Sequence, residues 1–179
     1  QNYFPDVPEN YWASCDIDKL AMNDVVVGYP DNLFKPNRNV SRAEFATMLV
    51  KGFNMDTCGL EPKCIFSDVP ASNWANPLIA KAVDEKLMKG YPNGRFMPNN
   101  NVTRAEALTA MAKGLNNCNI DDCKAKEILS KYKDGSRLPS WSQIPIATAL
   151  ENGALADMPN SEMIMLVLSY QEGKRYLQF

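Results

Sequence analysis

Two arginines stand where an arginine is electrostatically misplaced. Arg42 and Arg104 lie in Ser41-Arg42-Ala43-Glu44 and Thr103-Arg104-Ala105-Glu106. Ser41 and Thr103 are strong N-cap residues, and Glu44 and Glu106 fall three positions later, so each segment reads as a capping box that opens a helix. The cap accounts for both glutamates. It does not account for the arginines, because a cation in the first turn faces the end of the helix dipole that favours anions. A guanidinium beside unbonded backbone N–H groups assembles donors for a carboxylate or a phosphate. Arg42 and Arg104 are therefore the leading candidates for recognition of an acidic ligand.

Other chemistry finds little support. The chain has no histidine, and so lacks the commonest general base and the commonest metal ligand. There is no phosphate-binding loop, no Gly-x-Ser-x-Gly and no Cys/His pair. Asp16 with Asp18 and Asp121 with Asp122 do not have calcium-loop spacing. No enzyme activity, cofactor or metal is expected. The net charge is −2 and the basic residues do not cluster, which argues against nucleic acid as a partner. No apolar run approaches the roughly 18 residues of a spanning helix.

The elements that must position the arginines repeat. Ser41-Arg42-Ala43-Glu44 returns after 62 positions, and the same shift relates Asp6-Val7-Pro8 to Asp68-Val69-Pro70 and Trp12 to Trp74. It also relates Gly28-Tyr29-Pro30 to Gly90-Tyr91-Pro92. Each repeat predicts two helices joined by a polar loop. In the first, a stripe of Ala13, Ile17, Leu20 and Ala21 predicts a helix over about 11–27, ended by Gly28 and Pro30. The second helix shows Ala46, Leu49, Val50 and Phe53 on one face, with Val40 and Phe45 placed as a hydrophobic staple. In repeat two, Ala75, Ile79, Ala82 and Val83 and then Leu108, Met111, Ala112 and Leu115 occupy the same places. A divergent third segment brings Ile146, Ala149 and Leu150 onto the first stripe, 67 positions after repeat two. There Asp157-Met158-Pro159 replaces the Gly-Tyr-Pro turn, and Asn160-Ser161 leads directly into an apolar helix over 164–170. The fold class is all-α, with units 1–58, 59–123 and 124–179 joined in one compact domain, since no single unit has enough core to stand alone.

Phe4-Pro5-Asp6-Val7 and Phe66-Ser67-Asp68-Val69, the Trp-Ala pairs, the Gly-Tyr-Pro loops and the two Arg-Ala-Glu segments together resemble tandem S-layer homology repeats, over residues 1 to 115. The resemblance implies a pseudo-threefold bundle of three helix-loop-helix units. It places the second helices around a central axis, with ligand grooves between neighbours. It further implies non-covalent anchoring to a bacterial cell wall, through secondary wall polysaccharide or peptidoglycan, as part of a larger surface or outer-membrane protein. An extracytoplasmic location follows. Arg42 and Arg104 would meet the acidic glycan. Trp12, Trp74, Tyr29 and Tyr91 are candidates for sugar contact, because an aromatic face suits the apolar face of a sugar; packing is the competing role. Asp6, Asp68, Gly28 and Gly90 complete the candidate site, with turn formation as the alternative role for each. The third unit has no matching arginine. Its divergence keeps open a second function, a protein-docking module in which the glycan site has decayed.

Four of the five cysteines form two local pairs, Cys58 with Cys64 and Cys118 with Cys123. Local disulfides are the expectation in an oxidising compartment. A four-cysteine zinc site is disfavoured because neither spacing is Cys-x2-Cys, and inert thiols are the remaining alternative. Cys15 is left over.

Overall fold

The computed structural model describes residues 3–115, 119–154, 156 and 162–164. Its elements in chain order are α1 (Ser14–Met22), α2 (Arg42–Gly52), α3 (Asn76–Asp84), α4 (Arg104–Gly114), α5 (Asp122–Leu129), a 3-10 turn (Gly135–Arg137) and α6 (Ser140–Glu151). All are helical, and the described residues contain no strand. The expected third-unit turn (Asp157-Met158-Pro159), the cap (Asn160-Ser161) and residues 165–170 of the last helix lie outside the described residues.

The predicted stripes are buried except at their last positions, where Ala21, Phe53, Val83 and Leu115 are half-buried. Ala13, Ile17 and Leu20 of unit one, Ala75, Ile79 and Ala82 of unit two, and Ile146, Ala149 and Leu150 of unit three all enter the core. The second helices are buried on more than a stripe: α2 buries Ala43, Phe45, Ala46, Met48, Leu49 and Val50, and α4 buries all six residues from Ala107 to Ala112. Val40 and Phe45, the staple pair, are both fully buried.

The first helices end earlier than the apolar pattern suggests. α1 stops at Met22, because Asp24 turns left-handed (φ 55°) and Val25 donates its N–H back to the Leu20 carbonyl at 3.0 Å. Lys86 (φ 60°) does the same after α3, and Asn54 (φ 50°) after α2. This is the usual left-handed helix ending without its usual glycine. Gly28 and Gly90 therefore do not cap helices. They admit an aromatic ring: a Cβ on Gly28 would lie 2.5 Å from Phe4 Cε1, and one on Gly90 would collide with the Phe66 ring.

Loops join the units. Val102 N–H donates to the Val40 carbonyl (2.9 Å), and the N–H groups of Arg42 and Ala43 donate to the carbonyls of Asn100 (2.8 Å) and Pro98 (3.0 Å). The start of α2 is thus bonded to the loop of unit two. An additional helix, α5, follows unit two and packs on α6. It opens with Asp121, whose side chain accepts from the Lys124 N–H.

The expected Cys58–Cys64 disulfide is not formed. Cys58, Cys64 and Cys123 are exposed free thiols, as is Cys15, and Cys118 lies outside the described residues. Different partners fix the two segments of the first pair. The Cys58 N–H is held by the Asp56 side chain at 2.9 Å, whereas the backbone of Lys63 is bonded to the Asn76 side chain on α3.

Candidate functional site

Asp6 and Asp68 shape the loops that the arginines meet. The Asp6 carboxylate accepts from the N–H groups of Phe34 (2.9 Å) and Lys35 (2.7 Å), and Asp68 accepts from those of Phe96 and Met97 (both 2.8 Å). Lys35 and Met97 are left-handed, so the carboxylate bridges a strained bend. Burial pushes the Asp68 carboxyl up. The two amides, with Arg95 Nε at 3.6 Å, more than offset this and hold it below the ordinary carboxylate value. A related contact occurs in unit three, where both oxygens of the Asp134 carboxylate accept from the Ile164 N–H, at 2.8 and 3.1 Å. Tyr132-Lys133-Asp134 echoes Phe66-Ser67-Asp68, a signal that the sequence carries but that the longer third spacing hides.

The arginines reach forward from one unit into the next. Arg42 is only 5% exposed. Its Nε donates to the Phe96 carbonyl and its Nη2 to the Lys89 carbonyl, both at 2.8 Å, while Nη1 lies 3.5 Å from Glu106 Oε2. The rings of Phe96 and Tyr91 flank the guanidinium, with centroids at 4.6 and 5.0 Å. Arg104 is 1% exposed, and its Nη1 donates to the Met163 carbonyl at 2.9 Å. Both guanidinium groups thus bond backbone of the following unit, and at α2 the foremost N–H groups are already taken by the loop carbonyls.

The two capping motifs diverge. Ser41 and Glu44 form the reciprocal box. Thr103 accepts from the Glu106 N–H, but the box is not closed, and Glu106 is directed at Arg42 instead.

Two grooves open beside these arginine-bearing helices, at equivalent positions of the repeat. The first, a cavity of about 190 Å³, runs along Val25 to Tyr29 and is walled by Glu44, Thr47, Met48 and Lys51 of α2 and by Trp74. The second, about 230 Å³, runs along Leu87 to Pro92 and is walled by Glu106, Thr109, Ala110 and Lys113 of α4, by Arg42 and by Trp141. In each, the next unit supplies an exposed indole: Trp74 is 66% exposed and Trp141 57%. Tyr29 and Tyr91 lie in the first and second grooves, and Gly28 and Gly90 form part of their walls. Burial, then the Glu44 charge, raises the Tyr29 phenol above its ordinary value, so it stays a neutral donor to Glu44 Oε1 at 3.4 Å. Trp12 lines neither groove.

Sequence reasoning missed Lys51, Lys89, Thr47, Thr109 and Lys113 as groove residues. The 62-residue shift pairs Thr47 with Thr109 and Lys51 with Lys113, so a full comparison of α2 with α4 contains that signal.

The sequence model of the S-layer homology domain matches residues 3–46 and 65–108. Among curated proteins, the chain is 34% identical over 168 residues to "Cell surface glycoprotein 1" of Acetivibrio thermocellus, covering 74% of this chain and 7% of that protein. It is 33% identical over 143 residues to the "Cellulosome-anchoring protein" of the same organism, covering 74% of this chain and 30% of that protein. It is 30% identical over 146 residues to an "Endoglucanase" of a Bacillus species, covering 82% of this chain and 15% of that protein. The chain therefore spans less than a third of the length of each of these relatives. None of the helices among the described residues is long and apolar enough to cross a membrane. With its paired Asp-braced loops, forward-reaching arginines and inter-unit grooves, and with two matched repeats, this extracytoplasmic cell-surface segment belongs to the S-layer homology family.

Proposed function

We propose that this segment anchors a larger protein to the bacterial cell wall without covalent chemistry, by binding an acidic wall glycan in the grooves between its units. The observation that carries this reading is the recurrence of one groove design, in which an exposed indole from one unit faces a tyrosine and a charged helix of the preceding one. A flat indole stacks on the apolar face of a sugar while charged neighbours bind its acidic substituent. The word "anchoring" in the name of one relative points the same way.

In this reading Trp74, Trp141, Tyr29 and Tyr91 contact the sugar. Arg42 adds positive charge at the groove wall. Arg104, Asp6, Asp68, Gly28 and Gly90 act through the shape of the loops. The segment binds and does not catalyse. The acidic polymer is a secondary wall polysaccharide or the peptidoglycan itself.

Cosedimentation with purified sacculi, before and after hydrofluoric acid strips phosphodiester-linked polymers, tests the proposal. Binding lost on stripping assigns the ligand to a secondary wall polymer. Binding retained assigns it to peptidoglycan. Failure to bind either preparation removes the glycan reading and favours docking of another envelope protein. The exposed apolar surface of Val27 (73%) and Trp74 gives that second reading its footing.

A further inference from the structure

The two grooves use the same positions of one repeat, so every difference between them is a controlled comparison. Among the described residues, the charged lining of the first groove is Glu44 and Lys51, one of each sign. That of the second is Glu106, paired with Arg42 at 3.5 Å, together with Lys89 and Lys113. The largest single change is Val27, whose counterpart 62 positions on is Lys89. Lys89 is exposed, stands over the Trp141 ring with Nζ 5.5 Å from its centroid, and has no carboxylate partner among the described residues.

The polar groups differ in the same direction. In the first groove Thr47 Oγ1 donates back to the Ala43 carbonyl at 3.1 Å. Glu44 Oε2 accepts from the Ser41 N–H at 3.1 Å, and Oε1 from Arg38 at 3.3 Å. Arg38 has no counterpart in unit two, where Asn100 stands at its position. In the second groove Thr109 is 4% exposed, and its Oγ1 has no hydrogen-bond partner. Glu106 Oε2 is buried and also makes no hydrogen bond, although the Arg42 guanidinium lies nearby. A buried hydroxyl without a hydrogen bond is costly, and a bound polar group removes that cost; Glu106 Oε2 has the Arg42 charge beside it and still has room to accept a donor.

We propose that the chain carries one acidic-glycan site rather than two, and that it is the second groove. Lys89 binds the carboxylate or phosphate substituent of the sugar, and Trp141 carries its apolar face. Glu106 Oε2 accepts a hydrogen bond from a sugar hydroxyl or amide, and Thr109 Oγ1 pairs with a neighbouring oxygen or hydroxyl. The first groove, with its own polar groups already satisfied and Val27 in place of the lysine, takes no acidic sugar. This inference rests on the glycan reading above and narrows it from two grooves to one, which takes Trp74, Tyr29 and Lys51 of the first groove out of acidic-sugar contact, and to an acidic sugar that also presents a hydroxyl or amide donor.

The experiment measures retention of the full chain on purified sacculi that keep their phosphodiester-linked polymers. Lys89→Val copies the first groove into the second, and Thr109→Val removes the unpaired hydroxyl without changing the side-chain shape. Each is expected to weaken retention by roughly tenfold, the scale of one charge-assisted or buried hydrogen bond. Thr109→Val should keep or raise the thermal midpoint while binding falls, which a purely structural threonine would not do. Lys51→Ala removes the one cation among the described residues lining the first groove and should leave retention within about twofold, as expected for a charge away from the ligand. If Lys51→Ala weakens binding as much as Lys89→Val, or if Lys89→Val and Thr109→Val bind like the wild type, the single-site assignment is overturned while glycan anchoring stands. If the wild type itself is not retained, the anchoring reading fails and takes this inference with it.

Discussion

Arg42 brings a full charge into a site where little water reaches it, and it meets backbone there. Two carbonyls at 2.8 Å and a glutamate at 3.5 Å surround the guanidinium, and two rings flank it. Such a charge is tolerated only while its partners are in place, so removing either side leaves buried polar groups unpaired. Replacing Arg42 with alanine orphans the Phe96 and Lys89 carbonyls and should lower stability by about 3 kcal/mol, the usual cost of breaking a buried charged network. Arg42→Lys keeps the charge but loses the planar fork, and should fall between the two. Urea unfolding midpoints of the three proteins measure this. A loss under about 1 kcal/mol for the alanine variant, the range of a solvated side chain, would show that the guanidinium does not hold the loop. The sequence located this residue by its wrong place on the helix dipole. What it meets was hidden, because its two carbonyl partners lie 54 and 47 positions further along the chain.

At the scale of elements, the carboxylate-braced loop is the part that most depends on solution conditions. The Asp68 carboxyl titrates below its ordinary value in the folded protein, chiefly because the Phe96 and Met97 amides outweigh its burial. The unfolded chain therefore takes up a proton at a higher pH than the folded one. The stabilisation from this group is complete above the ordinary aspartate value and is lost as pH falls through the depressed folded value. Asp68→Asn should be less stable than the wild type at neutral pH, and the gap should narrow as the solution is acidified through that window. A gap constant from neutral pH down to strongly acidic solution would show that the carboxylate charge does not brace the loop. Helix existence was legible from the stripes, since Ile17, Ile79 and Ile146 are all buried where periodicity put them. The helix ends were not. Val25 and Val26 continue the apolar pattern past α1, yet the chain has already turned at Asp24, a position with no glycine to mark it. α5 was missed for a related reason: its buried face is only Ala125, Ile128 and Leu129, too few residues to show a period.

Among the described residues, the buried arginines reach in one direction. Unit one sends Arg42 into the loop of unit two, and unit two sends Arg104 to the Met163 carbonyl of unit three. The backbone at the start of α2 is bonded to residues 98 and 100 rather than to its own loop. Unit one therefore lacks, within its own sequence, the acceptors for its buried arginine and for two of its helix N–H groups. A fragment of residues 1–58 would expose that charge and the apolar residues of α2 that face the rest of the bundle, and a chain of this size has little core to spare. The full chain should unfold in one cooperative transition, with helical circular dichroism and tryptophan fluorescence changing together, while the 1–58 fragment should show neither helical signal nor a thermal transition. A fragment that folds alone, or a full chain that melts in separate steps, would mean that the forward-reaching arginines join units that are already stable. The groove pairing that underlies the glycan reading would then be an assembly of independent modules, and grooves walled by two units could open without either unit unfolding.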